Sequence, residues 1–146
     1  MRSLPPDPRK LLAIYLGGVV GALVRVGLAE LAATEPGQWP WATFAVNMAG
    51  ALLLGYFFAL FRDHPEESLR HPFLGIGICG TLTTFSTMQL ELFEMVNEGY
   101  LGLAAAYCAA TIAAGYLLLR LGIGLERGRG ALVAIYATKA PREGER

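Results

Sequence analysis

The chain has 146 residues, of which 54% are hydrophobic and 16% are charged, and its formal net charge at pH 7 is zero. A water-soluble domain of this length carries more charge, so the composition excludes an ordinary soluble protein and predicts one integral membrane domain. The sequence contains no nucleophile, base and orienting group in a catalytic pattern, so we expect no enzyme. We also expect no nucleic-acid partner.

Four apolar stretches are long enough to cross the hydrocarbon core of a bilayer, which needs about 20 helical residues. They are residues 11–33, 41–61, 73–96 and 100–119. The predicted fold is therefore an all-α integral membrane protein, surrounded by lipid, with a channel-forming domain over residues 11–122. A cytoplasmic segment precedes it at residues 1–10, and a cytoplasmic tail follows it at 123–146, with room for a short interfacial helix.

Lysine and arginine are distributed very unevenly along the chain. Eleven of the twelve lie before span one, between spans two and three, or at and beyond the end of span four. The other two connections between spans contain none. Because positively charged loops stay on the cytoplasmic side, this asymmetry predicts a multi-pass protein of the plasma (inner) membrane with both termini in the cytoplasm.

Span one places Gly17, Gly21 and Arg25 on one helical face, since they are four residues apart. Small residues on this face allow another helix to approach closely. Arg25 lies past the middle of the span, where its side chain either extends to the membrane interface or faces a polar vestibule. Both interpretations remain open from the residue alone.

Span two contains one strongly polar residue, Asn47, with Gly50 and Gly55 nearby. The amide of an asparagine carries two donors and an acceptor. Such a residue inside a membrane either joins two helices or serves a polar pathway, and the sequence alone favours neither.

Span three contains the most unusual stretch, a glycine-rich half followed by a hydroxyl-rich half over residues 75–88. The glycines predict an interruption of the helix within residues 75–83, near the bilayer midplane, where freed carbonyls would face a cation. Five hydroxyls follow as donors without any cationic side chain, a pattern that suits a small, strongly hydrated anion. They belong to Thr81, Thr83, Thr84, Ser86 and Thr87.

Two further sets of residues accompany this stretch. Phe85 and Met88 share one helical face, which indicates either ordinary packing or an aromatic edge, with its positive quadrupole, turned toward an anion. In span four, Tyr107 and Thr111 lie one turn apart on one face, although a threonine can also bond its own backbone.

The motif Gly77…Cys79-Gly80-Thr81-Leu82-Thr83-Thr84-Phe85-Ser86-Thr87, with Glu91 beyond it, resembles that of the Fluc/CrcB fluoride channels. The match extends to Gly17, Gly21 and Arg25 in span one and to Thr43 and Asn47 in span two. The resemblance implies a passive fluoride exporter that reduces fluoride toxicity. It also implies an antiparallel dimer of four-span subunits, with a structural Na⁺ at its centre where the two broken third helices cross.

The resemblance also implies roles for individual residues. It makes the backbone carbonyls of Gly80 and Thr83 the Na⁺ ligands, and it makes Arg25 and Glu91 vestibule residues. It places the fluoride pathway at Asn47, Thr84, Phe85, Ser86, Thr87, Met88, Tyr107 and Thr111. Met88 stands where many relatives have a second Phe.

Two alternatives to a fluoride channel belong to other classes. A small four-helix drug/proton antiporter would need a membrane-buried carboxylate, and Glu30 lies too close to the end of span one to serve well. A non-transporting membrane scaffold would use the motif only for helix packing. Two kinds of dimer remain compatible with the uneven distribution of Lys and Arg. One is an antiparallel homodimer, and the other is a heterodimer with an oppositely oriented paralogue.

Overall fold

The computed structural model describes residues 7–31, 34–35, 37–62 and 68–139, with side chains up to residue 132. Most of the predicted N-terminal segment, the last seven residues of the predicted tail and the middle of the second connection lie outside these ranges. The described helices are α1 (Pro8–Leu31), α2 (Trp41–Phe61), α3 (His71–Cys79 continued by Gly80–Leu82), α4 (Phe85–Asn97) and α5 (Leu101–Lys139).

Four helical stretches have the length and hydropathy of membrane spans: α1, α2, α3 with α4 taken together, and α5. Large apolar side chains cover their outer surfaces, such as Tyr15 and Leu23 on α1, each 67% exposed. A surface of this kind is stable against lipid rather than water. The predicted all-α membrane architecture with four spans is therefore confirmed.

Glycines set the contact between α1 and α3. A Cβ atom on Gly77 would lie 2.8 Å from the carbonyl oxygen of Ile14 and 2.9 Å from the Cα of Gly17. A Cβ on Gly17 would in turn overlap the carbonyl of Phe73. The two backbones can approach this closely only without side chains, as expected for small residues between membrane helices.

The third predicted span contains two helices of different type. His71–Cys79 is a π-helix, wider than an α-helix, and helical conformation continues to Leu82. Thr83 (φ −73°, ψ 149°) and Thr84 (φ −140°, ψ 122°) are extended, and α4 begins at Phe85. The prediction placed the interruption within residues 75–83, whereas the backbone stays helical through Leu82 and only Thr83 of that range is extended. Of the three glycines in the range, Gly77 provides the close approach to α1.

The helices α4 and α5 are joined by a tight turn at Gly99, whose φ of +87° favours glycine. The amide of Tyr100 donates to the carbonyl of Met95 at 2.7 Å, as in a Schellman motif. Helix α5 then runs for 39 residues to Lys139, rather than ending near Leu119. The helix continues because no proline occurs before Pro141 and because Arg129 pairs with Glu126 at 2.7 Å.

Candidate ion-permeation site

Asn47 bonds both backbone groups of Thr84, the second extended residue of the interruption. The Thr84 amide donates to Asn47 Oδ1 at 2.8 Å, and Asn47 Nδ2 donates to the Thr84 carbonyl at 3.0 Å. An extended residue between two membrane helices has no helical partner for these groups, and leaving them unsatisfied costs several kcal/mol in a bilayer. Asn47 therefore stabilises the interruption and keeps one amide hydrogen for another acceptor.

The interruption also changes the environment of two backbone carbonyls. In a continuous α-helix the Gly80 carbonyl would accept from the Thr84 amide, and the Thr83 carbonyl would accept from the Thr87 amide. The Thr84 amide donates to Asn47 instead, and the Thr87 amide donates to Thr84 Oγ1 at 3.2 Å. Both carbonyls thus lose their helical donors, and no cluster of acidic, His or Cys side chains in the described ranges suits a metal.

Three hydroxyls at the start of α4 bond to one another. Thr84 Oγ1 lies 2.9 Å from Thr87 Oγ1 and 3.3 Å from Ser86 Oγ. Either oxygen of each pair can be the donor, so the hydrogens can rotate toward an acceptor that arrives from outside the cluster. We call Thr84, Ser86 and Thr87 the hydroxyl cluster.

The other two hydroxyls of the motif are occupied by the backbone of their own subunit. Thr81 Oγ1 lies 2.9 Å from the carbonyls of Gly18 and Gly77, and Thr83 Oγ1 donates to the Cys79 carbonyl at 3.0 Å. Thr81 thus joins α3 to α1 instead of continuing a row of available donors. The predicted row of five donors is reduced to the three of the hydroxyl cluster.

Glu91 connects three helices through its carboxylate. Its Oε1 accepts from the hydroxyl of Thr43 on α2, and its Oε2 accepts from the hydroxyl of Tyr107 on α5 at 2.8 Å. Tyr107 is fully buried and Thr43 is 6% exposed. The Glu91 carboxylate on α4 therefore links α2 and α5 through two hydrogen bonds.

An aromatic cluster covers the other side of Tyr107. The ring of Trp39 meets the ring of Tyr107 edge-on, with centroids 5.4 Å apart and planes at 79°, and it meets Phe44 in the same way. Met88 packs into the same apolar cluster as Tyr107 and is 7% exposed. Met88 is therefore a packing neighbour of Tyr107.

Two adjoining cavities lie between α1, α2 and α4. The first, of about 470 Å³, is lined by Arg25 and Glu30 and by Thr84 and Thr87 of the hydroxyl cluster. The second, of about 230 Å³, is lined by four acidic residues, Glu35, Glu91, Glu94 and Glu98. Both cavities share Ala29, Ala42, Thr43 and Thr87 as lining residues. The hydroxyl cluster thus lies beside a cleft whose ends differ in charge, because Arg25 and Glu30 line one end and the charged residues that line the other end are all acidic.

The predicted site residues fall into separate places around this cleft. Arg25, Thr84, Thr87 and Glu91 line it. Tyr107 and Thr111 lie on α5, where the Thr111 hydroxyl is buried without a hydrogen-bond partner. Phe85 is 71% exposed at the surface of the single chain and lines neither cavity.

The amino-acid sequence from residue 12 to residue 123 matches the family model described as "CrcB-like protein, Camphor Resistance (CrcB)". The chain belongs to the CrcB family. This confirms the resemblance on the residues of span three, and the family indicates a channel rather than an enzyme, as predicted.

Several relatives from this family share 40% or more of their residues with the chain. It is 49% identical over 122 residues to "Fluoride-specific ion channel FluC 1" of Mycobacterium bovis, covering 83% of this chain and 92% of that protein. It is 40% identical over 127 residues to "Fluoride-specific ion channel FluC 2" of Nocardia farcinica, covering 86% and 91%. It is 41% identical over 119 residues to "Fluoride-specific ion channel FluC" of Novosphingobium aromaticivorans, covering 79% and 94%.

The structure of this CrcB-family chain assigns contacts to two residues that the sequence reasoning left without a role. Thr43 was only part of the resemblance, yet it bonds Glu91. Its position one turn before Asn47 on the same face of α2 is the signal that would have found it. Trp39 lies in the connection before α2, and its ring packs on Tyr107. No sequence pattern indicates that contact.

Proposed function

We propose that the chain is a fluoride-selective channel through which fluoride leaves the cytoplasm passively, down its electrochemical gradient. The observation that carries the proposal is the hydroxyl cluster beside the cleft, since its hydrogens can turn toward an anion. The names of the relatives, which are fluoride-specific ion channels, support the choice of anion. Hydroxyl and amide donors can replace the water around a small anion without the strong binding that a lysine would impose.

In this mechanism the anion moves from the cleft to the hydroxyl cluster. Arg25 lines the cavity that Thr84 and Thr87 also line, so its positive charge attracts an anion at short range, although Glu30 in the same lining opposes it. The free amide hydrogen of Asn47 lies next to Thr84 and adds one more donor. Glu91 lines the adjoining cavity, where its negative charge disfavours anion entry from that direction.

The route continues along α5 in the proposed channel. Tyr107 donates its hydroxyl to Glu91, so it becomes a donor for fluoride only when that bond opens. Thr111, one turn further, has a buried hydroxyl with no partner. Fluoride would satisfy it, because a buried hydroxyl without a partner is unfavourable.

We propose that the functional unit is an antiparallel dimer with the interruption of the third span near the bilayer midplane. Phe85 is 71% exposed although it follows the interruption directly, which supports its placement at a contact with a second subunit. There its ring edge would complete the fluoride pathway, with Met88 behind it. An aromatic edge attracts an anion weakly and does not trap it.

The same dimer would hold a structural Na⁺ at its centre. Backbone carbonyls are suitable ligands for a hard cation, and the Gly80 and Thr83 carbonyls have lost their helical donors to Asn47 and to Thr84 Oγ1. When bound, Na⁺ would join the two interruptions by neutralising these carbonyl dipoles. The chain therefore fits a Na⁺ site in which the protein ligands would be backbone carbonyl oxygens.

The proposed membrane is the plasma (inner) membrane, with the termini of this chain in the cytoplasm. The distribution of Lys and Arg supports this orientation. Strong asymmetry is expected of one half of an oppositely oriented pair, and relatives named FluC 1 and FluC 2 occur. Expression of this chain alone decides between the two dimers: a stable, fluoride-conducting homodimer would show that no paralogue is needed.

Fluoride efflux from proteoliposomes tests the proposed function directly. The purified protein should release fluoride and retain chloride without an imposed proton gradient. Efflux that requires a proton gradient would favour the antiporter, and absence of efflux from a well-assembled protein would favour the scaffold.

Replacing Phe85 by Ile tests the aromatic position. Ile keeps the bulk but removes the ring edge, so fluoride efflux should fall by about tenfold or more while assembly is retained. Phe93→Ile is the matched control, because Phe93 is on the same helix and is similarly exposed, at 66%. Equal efflux from the two variants would remove Phe85 from the pathway.

A further inference from the structure

Three buried side-chain atoms of the described residues lack a hydrogen-bond partner: Arg25 Nε, Thr111 Oγ1 and Trp39 Nε1. The nitrogen atoms of arginine and of the indole ring can only donate, and a hydroxyl can donate as well. Arg25 and Thr111 are also residues of the proposed fluoride route. Trp39 shares their property, and its N–H group lies outside the proposed route as described above.

The position of the Trp39 indole N–H is unusual for a residue next to a membrane span. Tryptophan at a membrane interface normally keeps its ring among apolar groups and its N–H in a polar environment. The Nε1 atom of Trp39 is buried instead. A buried donor without an acceptor is unfavourable, so this geometry favours a site where an acceptor arrives from solution.

The neighbours of Trp39 connect it to the proposed route. Its ring lies edge-on against Tyr107, with the centroids 5.4 Å apart, and Tyr107 is fully buried and bonded to Glu91. On α5, Thr111 follows Tyr107 by one helical turn. Trp39 thus contacts Tyr107, the residue at which the proposed route reaches α5.

We propose that the indole N–H of Trp39 donates a hydrogen bond to fluoride as the ion passes Tyr107. Trp39 is then a binding residue of the pathway in addition to those named above, and the inference rests on the proposed function. The ligand is a small anion that accepts hydrogen bonds. The ring of Trp39 keeps Tyr107 in place, and its N–H supplies the donor.

Replacing Trp39 by Phe separates these two contributions, since phenylalanine retains an aromatic ring against Tyr107 and lacks the N–H. Fluoride efflux from proteoliposomes should fall by about tenfold, which corresponds to about 1.4 kcal/mol. Trp41→Phe is the matched control. Trp41 also belongs to the aromatic cluster, but it is 66% exposed, and its variant should conduct at the wild-type rate.

Tryptophan fluorescence tests whether fluoride binds next to Trp39, which an effect of the residue on structure alone would not produce. The chain has two tryptophans, so the Trp41→Phe protein contains Trp39 alone. Its emission, measured in detergent at constant ionic strength, should change saturably with potassium fluoride and stay constant with potassium chloride.

The proposal is overturned if Trp39→Phe conducts fluoride at the wild-type rate. It is also overturned if efflux falls but the emission of Trp39 does not respond to fluoride, because the residue would then act only on structure. A wild-type protein that passes no fluoride would refute the proposed function instead. In that case, a saturable emission response of the Trp41→Phe protein would still show fluoride binding next to Trp39.

Discussion

Both halves of the third span carry hydroxyl side chains, but the hydroxyls of the two halves bond to different kinds of partner. In α3 and at its end, the hydroxyls of Thr81 and Thr83 bond backbone carbonyls of the chain itself. At the start of α4, the hydroxyls of Thr84, Ser86 and Thr87 bond one another. The composition of a hydroxyl-rich motif therefore does not tell how many of its donors are available to an ion.

The difference follows from the ends of the two helices. A threonine in the last turn of a helix or directly after it reaches back to the carbonyl four residues earlier, as Thr81 and Thr83 do. A threonine before the first turn accepts from an amide three residues later, as Thr84 does from Thr87. The oxygen of Thr84 accepts that bond, and its hydrogen stays available.

The largest expected effect comes from Asn47→Asp. A carboxylate can still accept from the Thr84 amide, but it cannot donate to the Thr84 carbonyl, and its charge repels fluoride. The lost hydrogen bond and the repulsion together should reduce efflux by about a hundredfold or more at neutral pH. Fluoride efflux from proteoliposomes measures the effect, with size-exclusion chromatography as the check on assembly. Wild-type efflux from this variant would show that Asn47 is not needed next to the pathway.

Two threonine variants test whether the hydroxyls in the two halves of the third span differ in function. Thr87→Val removes a hydroxyl of the cluster and should lower efflux by about tenfold, whereas Thr81→Val removes a bond between α3 and α1 and should leave efflux per folded channel unchanged. Thr81→Val should instead lower the melting temperature in detergent. If both variants lost efflux equally, the distinction between occupied and available hydroxyls would be wrong.

A smaller effect is expected at Gly50, which faces the interruption from α2. A Cβ there would overlap the Thr83 side chain, so Gly50→Ala should destabilise the fold by about 1–3 kcal/mol and reduce efflux several-fold. Gly102→Ala is the control, because a Cβ on Gly102 meets no atom within 4 Å. Thermal unfolding in detergent compares the two, and equal melting temperatures would show that Thr83 can move aside.

The sequence was sufficient for the architecture and for the family. Runs of apolar residues located four spans, and the motif in span three located the interruption to within a few residues. The exact position could not be predicted, since it depends on Asn47, 37 residues earlier, meeting the backbone of Thr84. The spacing of residues within either helix does not indicate this contact between helices.

The site was predictable as a set of residues and not as a set of contacts. Arg25, Thr84, Thr87 and Glu91 do line one cleft, but the bond from Tyr107 to Glu91 depends on how α4 and α5 pack. The extent of α5 was also missed, because four glycines between residues 122 and 130 suggested a loop. Glycine lowers helix propensity by only about 1 kcal/mol per residue.

The pair of bonds between Asn47 and Thr84 has a consequence for the biogenesis of the protein. When the third span first enters the bilayer, Thr84 presents an amide and a carbonyl that its own helices cannot satisfy, so the span alone is poorly suited to lipid. Synthesis proceeds from the N-terminus, so α2, which carries Asn47, is made before Thr84. In the folded chain Asn47 satisfies both groups, so we expect the third span to enter lipid more favourably beside α2 than alone.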